Sequence, residues 1–465
     1  MIARSPLRVA VVGAGPAGIY AGGILTELVP GVRVDVIERL PTPYGLVRYG
    51  VSPDHPKIKK IIDSLHIMLD HPGVRLLGNV DVGTDVTVEE LRAHYDAVIL
   101  ATGATRDVPF DVPGADLPGS FGAADFVSWY DSHPDVPRQW PLRARSVAVI
   151  GAGNVALDVT RMLIRHPRSL THTDISDNVE AAFAKNTIED IHVFARRGPV
   201  DVRFSPGELR ELGELEDVDV IVDPADVVRD QHVERMTRQF APRRLVMASF
   251  ERWAQIPADE RTAARRVHFH FYRAPAQVLG TDRVEGLRTQ CTVPDGYGHV
   301  NPSDIYEDHP VQAVYRAVGY ASSPVPGVPF DPVHRTVPHT RGAVLDSGEQ
   351  VPGLYVTGWI KRGPVGLIGA TKSDARETIE TLLGDVQQRP AVSGRRARSV
   401  DALLAERGVQ VVDWRGWTRI DAAERELGAA RGRERTKIVD RDLMTRFGAG
   451  TTTTLVPAPL EAVEP

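Results

Sequence analysis

The sequence predicts an α/β protein built from two Rossmann-like dinucleotide-binding domains. Three observations predict it. A glycine-rich turn joins a β-branched strand to an Ala/Leu-rich helix at the start of the chain, the same arrangement returns near residue 150, and the 465 residues are enough for two to three domains at about 100–200 residues each. With 41 Gly and 35 Pro scattered along a chain that is 42% hydrophobic, collagen-like and disordered classes are excluded. No apolar run approaches the roughly 18 residues needed to cross a bilayer, and Met1 to Arg8 is a short lead-in without the parts of a signal peptide. A soluble, cytoplasmic protein is expected. The formal net charge of −6 argues against a general nucleic-acid binder. Cys291 is the single cysteine, so the chain has no intrachain disulfide, no CxxC pair and no iron–sulfur cluster of its own. Any electron chemistry must use a bound cofactor.

The first element, Leu7 to Val12, is an apolar run that ends in Gly13-Ala14-Gly15-Pro16-Ala17-Gly18 and continues as a helix from Ile19 to Leu28. Gly13 permits the tight turn, Gly15 lets the backbone approach a pyrophosphate, and Gly18 allows close helix–strand packing. The helix start then offers unpaired N–H groups to phosphate. By itself such a glycine pattern is a weak signal. Here a second strand, Val32 to Ile37, ends in Glu38, twenty-five residues after Gly13, and an acid at that strand end suits a ribose hydroxyl pair. Arg39 follows it.

Ser146 to Ile150 runs into Gly151-Ala152-Gly153-Asn154-Val155-Ala156 and a helix to about Arg165, with Ala156 a tolerated replacement for the third glycine. After the next strand, Ile191 to Ala195, stand Arg196 and Arg197 at the place where an acid would contact a ribose. An acid would repel a 2′-phosphate, whereas two guanidinium groups can grip it. The first site is therefore assigned FAD and the second NADP(H). Ala101-Thr102-Gly103, after the strand Ala97 to Leu100, closes the first unit. No His/Cys spacing indicates a metal; His268-Phe269-His270 reads as strand alternation.

With these residues in view, the chain resembles the adrenodoxin reductase family of ferredoxin–NADP reductases, particularly its actinobacterial members. Four stretches carry the resemblance over nearly the whole chain: Pro43 to His55, including Gly45-Leu46-Val47; Gly151 to Asp158; Arg196-Arg197-Gly198-Pro199 with Phe204 and Glu208 to Glu211; and Gly358-Trp359-Ile360-Lys361-Arg362-Gly363-Pro364. The resemblance implies a glutathione-reductase-like architecture: residues 1–106 as the first part of an FAD domain, 107–329 as an inserted NADP domain, and 330–465 as the rest of the FAD domain with a C-terminal extension. The segment 387–398 reads as a linker, and a disordered tail is expected from about residue 449.

The resemblance also implies roles. His55 would lie beside the flavin and Glu211 would reach toward the same place, the two forming a proton relay. Glu208 would sit near the NADP ribose. Trp359 would stand at the nicotinamide edge of the flavin, and the backbone of Gly366, Leu367 and Ile368 against its far end. The implied activity is hydride transfer from NADPH to FAD, then single electrons to a ferredoxin-type protein, which could feed a cytochrome P450. The alternatives are an NADPH-dependent flavin oxidase or monooxygenase, or the electron-input subunit of a larger complex. Ferredoxins are acidic as a class, so docking calls for a basic face. Arg229 to Arg273 carries ten arginines against five acids, densest at Arg235, Arg238, Arg243 and Arg244. Arg203 stands where relatives carry small residues, and a monomer is the default expectation.

Overall fold

The computed structural model describes residues 6–366, 368–388 and 399–452. Leu367, residues 389–398 of the expected linker and residues 453–465 of the expected tail lie outside the described residues. Within that tail, residues 449–452 are described and close the last helix, Gly450 donating to the Phe447 carbonyl and Thr451 to that of Arg446.

Strand Arg8–Val12 lies in the interior of a seven-stranded sheet. On one side follow Arg33–Glu38 and Val74–Gly78; on the other, Ala97–Leu100 and Glu349–Val356. These five run parallel, and an antiparallel edge of Ala343–Asp346 and His339–Thr340 completes the sheet. Both faces are covered, which is why Val9 to Val12 is a continuous apolar run with no alternation. The helix Pro16–Leu28 covers one face, packed against the helix Ile368–Gln388.

The second sheet is six-stranded and wholly parallel, in the order Ser120–Gly122, Ala313–Arg316, Ser146–Ile150, Asp190–Phe194, Arg265–His270, Val218–Val222. A feature the sequence reading did not anticipate covers part of one face. It is a three-stranded antiparallel meander of Arg273–Leu279, Gly286–Pro294 and Val300–His309, which packs Val278 and Leu287 on Ala148, Ile150 and Phe194. The alternation expected at His268-Phe269-His270 is present. Val267 and Phe269 are buried on one face, while His268 stacks on His192, with ring centroids 4.6 Å apart.

The C-terminal extension folds back on the first sheet. Val412 pairs with Gly78, and the helix Trp414–Ala429 brings Glu424 onto Arg48. That pair is bidentate, at 2.9 and 2.5 Å, with the two side chains 3% and 0% exposed. Glu424 also accepts from the Ile438 amide and Arg435, and Trp417 lies against the Arg48 guanidinium. Replacing Glu424 by Ala leaves a buried guanidinium uncompensated. The expected loss, read by urea unfolding, is about 3–5 kcal/mol, and the Gly45–Val47 segment beside Arg48 should loosen with it.

Candidate active site at two glycine turns

Both glycine turns sit at the carboxyl ends of central parallel strands, where doubly wound sheets open a crevice. Their geometry is matched. Gly13 has φ +107°, and a Cβ on it would lie 2.5 Å from the Ala101 carbonyl oxygen; on Gly151, with φ +147°, it would lie 2.3 Å from that of Ala317. The middle glycines, Gly15 and Gly153, face open space, with nothing within 4 Å. Backbone is thus bared on the side where a pyrophosphate would come. Gly18 packs so closely on the turn that a Cβ would meet the Gly13 oxygen at 2.0 Å, whereas Ala156 is accommodated fully buried.

Around the first turn the structure gathers most of the residues singled out in the sequence. Gly45 lies against Gly15, and the Tyr44 amide donates to the Ala14 carbonyl, which seats the start of Gly45-Leu46-Val47 against the turn. Glu38 is turned back on the turn, accepting from the Ala14 amide at 2.8 Å and the Leu40 amide at 3.0 Å. Burial pushes its carboxyl up, against the opposing pull of these amides and Arg39. Arg39 itself reaches Asp135. Ala101 is buried, and Thr102 and Gly103 lead away from the strand end. Gly358 crosses so near helix Pro16–Leu28 that a Cβ would fall 2.6 Å from that of Ala17. Trp359 is half-buried and stacks on Tyr320. Gly366 is exposed; Leu367 and the Ile368 side chain lie outside the described residues. No sequence signal marked Asp374, which anchors this corner through the Gly358 amide at 2.6 Å, the Thr357 hydroxyl and Lys361.

At the second turn, Asn154 Oδ1 accepts from the Ser205 amide at 2.9 Å, and the Arg203 amide donates to the Ala152 carbonyl at 2.7 Å. Residues 203–205 therefore form one wall of the site, and Asn154 and Val155 open its helix. Arg196 is exposed and Arg197 half-buried. Among the described residues neither guanidinium has a side-chain hydrogen bond or ion pair.

Between the two turns lies a cluster of charge. His55, 8% exposed, has Glu208 Oε2 at 3.1 Å and Asp158 Oδ1 at 3.5 Å from Nε2, and Glu211 Oε2 at 3.6 Å from Nδ1. Glu208 is turned to Arg161 and His55, and Glu211 is half-exposed. Arg161 and Arg165, from the helix Asn154–Ile164 and its end, both engage Asp54. The donor atoms of His55, Asp158 and Glu208 fall within 4.8 Å of one another, but the Arg161 guanidinium stands among them and supplies the cation. Asp54, Asp158, Arg161 and Arg165 were not singled out from the sequence. The i,i+3 spacing of Asp158 and Arg161 on the helix after the second turn was the available signal.

Of the basic cluster, Arg235, Arg238 and Arg244 are exposed. Arg235 also donates to His232 and the Tyr297 carbonyl. Arg243 turns inward to the Val200 carbonyl, and Arg229 is neutralised by Glu251 and Glu234.

Burial works against charge on His55, but the hydrogen bonds to Asp158 and Glu208, with Asp54 behind them, outweigh it and push the imidazole up to about 10. Burial also opposes charge on Asp54, and Arg161 with Arg165 overcomes it, holding that carboxyl well below the usual range. The two signs differ. The stabilisation from His55 is complete below its ordinary value of 6.5 and is lost as pH rises through about 10; that from Asp54 is lost only in acid. The unfolding free energies of wild type and H55Q should therefore converge between pH 7 and pH 10. A gap that stays constant would contradict the assignment.

Residues 7–207 match the family model for pyridine nucleotide-disulphide oxidoreductases. The NADPH-ferredoxin reductase FprA of Mycobacterium leprae is 39% identical over 458 residues, covering 95% of this chain and 98% of the relative. The mitochondrial NADPH:adrenodoxin oxidoreductase of Mus musculus is 38% identical over 95% of this chain and 91% of its own length. The solved structure of Mycobacterium tuberculosis FprA in complex with NADPH superposes with a TM-score of 0.86 at 38% identity, over 96% of this chain and all of that one. On identity, coverage and fold together, the chain belongs to the family of NADPH-ferredoxin reductases and NADPH:adrenodoxin oxidoreductases.

Proposed function

We propose that this chain is an FAD-dependent NADPH–ferredoxin reductase. The observation that carries the reading is the pair of matched glycine turns on two separate parallel sheets, with one buried His–carboxylate–arginine cluster between them. Identity of 38–39% over nearly the full length to relatives named for NADPH and for ferredoxin or adrenodoxin supports it. The residues present fit both cofactors: each turn bares its middle glycine, where a pyrophosphate would need the backbone. When bound, FAD accepts two electrons from NADPH as a hydride and gives them up singly to an iron–sulfur protein.

Gly13, Gly15, Pro16, Ala17 and Gly18 hold the FAD pyrophosphate, and Glu38 its ribose. Gly45 to Val47, Ala101 to Gly103 and Gly358 wall the pocket. Gly151, Gly153, Asn154, Val155 and Ala156 do the same for NADP(H), with Arg196 and Arg197 gripping the 2′-phosphate. Trp359 excludes water at the flavin edge. His55 holds a proton beside the reacting atoms and exchanges it through the half-exposed Glu211. An acidic ferredoxin docks on Arg235, Arg238 and Arg244, and the protein acts as a cytoplasmic monomer. No helix among the described residues is long and apolar enough to cross a membrane.

An anaerobic titration tests the reading. NADPH should bleach the flavin far better than NADH, and oxidised bacterial ferredoxin should restore its colour. In the R196A/R197A variant the preference for NADPH should fall by about 10–100-fold, as expected for the loss of two charge-assisted contacts. Recovery of colour only with oxygen would favour an oxidase, and a protein that takes up no flavin would end the proposal. For docking, charge reversal at Arg235 and Arg238 should raise the KM for ferredoxin about tenfold or more, and remove most of its salt dependence. Reduction of ferricyanide, a small acceptor, should stay unchanged; equal loss with both acceptors would place these arginines elsewhere in the machinery.

A further inference from the structure

Arg161 is the side chain that touches every member of the charge cluster except Glu211 and Arg165. Its side chain is 1% exposed. Nε donates to Asp54 Oδ2 at 3.0 Å, Nη1 to Glu208 Oε2 at 2.6 Å, and Nη2 to Asp158 Oδ1 at 2.6 Å; Nη2 also meets His55 Nε2. The oxygens nearest His55 Nε2 are the same two atoms, Glu208 Oε2 and Asp158 Oδ1. Two cationic groups thus address one pair of oxygens. A guanidinium never gives up its proton in this setting, so where both nitrogens meet, it is the imidazole that must become the acceptor or move away.

We propose that Arg161 is a positioning residue: it holds Asp158 and Glu208 on the Nε2 side of His55 and competes with the imidazolium for them, which keeps His55 able to release its proton. The inference rests on the reading of His55 as the group beside the flavin. The other charged groups that face the ring are Asp54 on its own loop, Arg165 at the end of the same helix as Arg161, and Glu211 on the helix Pro206–Gly213. Without Arg161, the four carboxylates of Asp54, Asp158, Glu208 and Glu211 would face the imidazole with Arg165 as the remaining cation. The imidazolium would then be trapped. A lysine could supply the charge but not the fork that spans three carboxylates.

The test follows the His55 Cε1–H signal against pH in the flavin-loaded protein by NMR, the signal being identified by its absence in H55Q. In R161Q the midpoint should move up by about one to two pH units, the effect of one charge at this range in a partly polar interior. In R161K it should stay with wild type, while flavin reduction by NADPH slows about tenfold because the fork is lost. The pH profile of that reduction should move in R161Q and not in R161K. Equal midpoints in R161Q and wild type, or an R161K midpoint that moves as far as that of R161Q, would overturn the proposal. Should R161Q fail to fold, E208Q decides: loss of a shared acceptor must lower the midpoint, and an unmoved midpoint overturns the idea. The titration needs neither NADPH nor ferredoxin, so its failure leaves the proposed activity standing. A wild type that NADPH does not reduce would sink that activity without touching the titration.

Discussion

The two sheets are joined by charge, and the geometry of the candidate site depends on that seam. Each sheet has its own apolar core: one group of buried hydrophobics draws on residues 123 to 315, and the others that cover the first sheet draw on residues up to 101 and after 324. Beside the ring contacts of Tyr320 with Trp359 and Tyr49 with His133, much of what crosses between them is ionic and hydrogen-bonded. Arg161 and Arg165 take Asp54, and Lys59 and Lys437 share Asp131 and Asp174. Arg433 caps the Thr171 and Ile175 carbonyls and reaches Glu180. Apolar contact would let two faces slide with little penalty, whereas a desolvated ion pair is strong only in one arrangement. Where two cofactors must meet within van der Waals distance, that directionality fixes the approach of one turn to the other.

The turns themselves were legible in the sequence because their constraints are local. Gly13 and Gly151 announce themselves through the strand before and the helix after, and the structure adds that each is crowded by a carbonyl from a neighbouring crossing, Ala101 and Ala317. Glu38 and the Arg196–Arg197 pair stand out in the sequence for the same reason, each lying at or just past the end of the next strand. The seam was not legible. Its partners are far apart in the chain, 107 residues for Arg161 and Asp54 and 306 for Lys437 and Asp131, and an isolated Asp or Lys on a helix reads as solvated. The three-stranded meander escaped as well, since its strands carry exposed Val293, Ile305 and Tyr306 and no covering helix announces which sheet they serve.

Arg243 shows the limit of reading charge runs. In sequence it belongs to the densest basic cluster. In the fold, the helix Ala241–Ala254 is rotated by the burial of Val246, Met247, Phe250 and Trp253, which brings Arg243 toward Val200 and leaves Arg244 exposed. A charge count cannot resolve which members of a run face solvent, because the apolar side of the helix sets the rotation.

The two ionic clusters of the seam differ in a way that separates support from chemistry. Lys59, Lys437, Asp131 and Asp174 are balanced, two cations to two anions, and Lys437 also donates to the carbonyls of Arg48 and Asp131. The cluster at His55 has four carboxylates, Asp54, Asp158, Glu208 and Glu211, against the two guanidinium groups of Arg161 and Arg165. That deficit of positive charge is what draws a proton onto a buried imidazole that desolvation alone would leave neutral. A buried group with a displaced titration, in an unbalanced cluster facing the crevice, is the pattern expected of a site that exchanges protons. Asp54 therefore holds the sheets together through Arg161 and Arg165 while also facing the histidine, so the seam cannot be altered at Asp54 without altering His55.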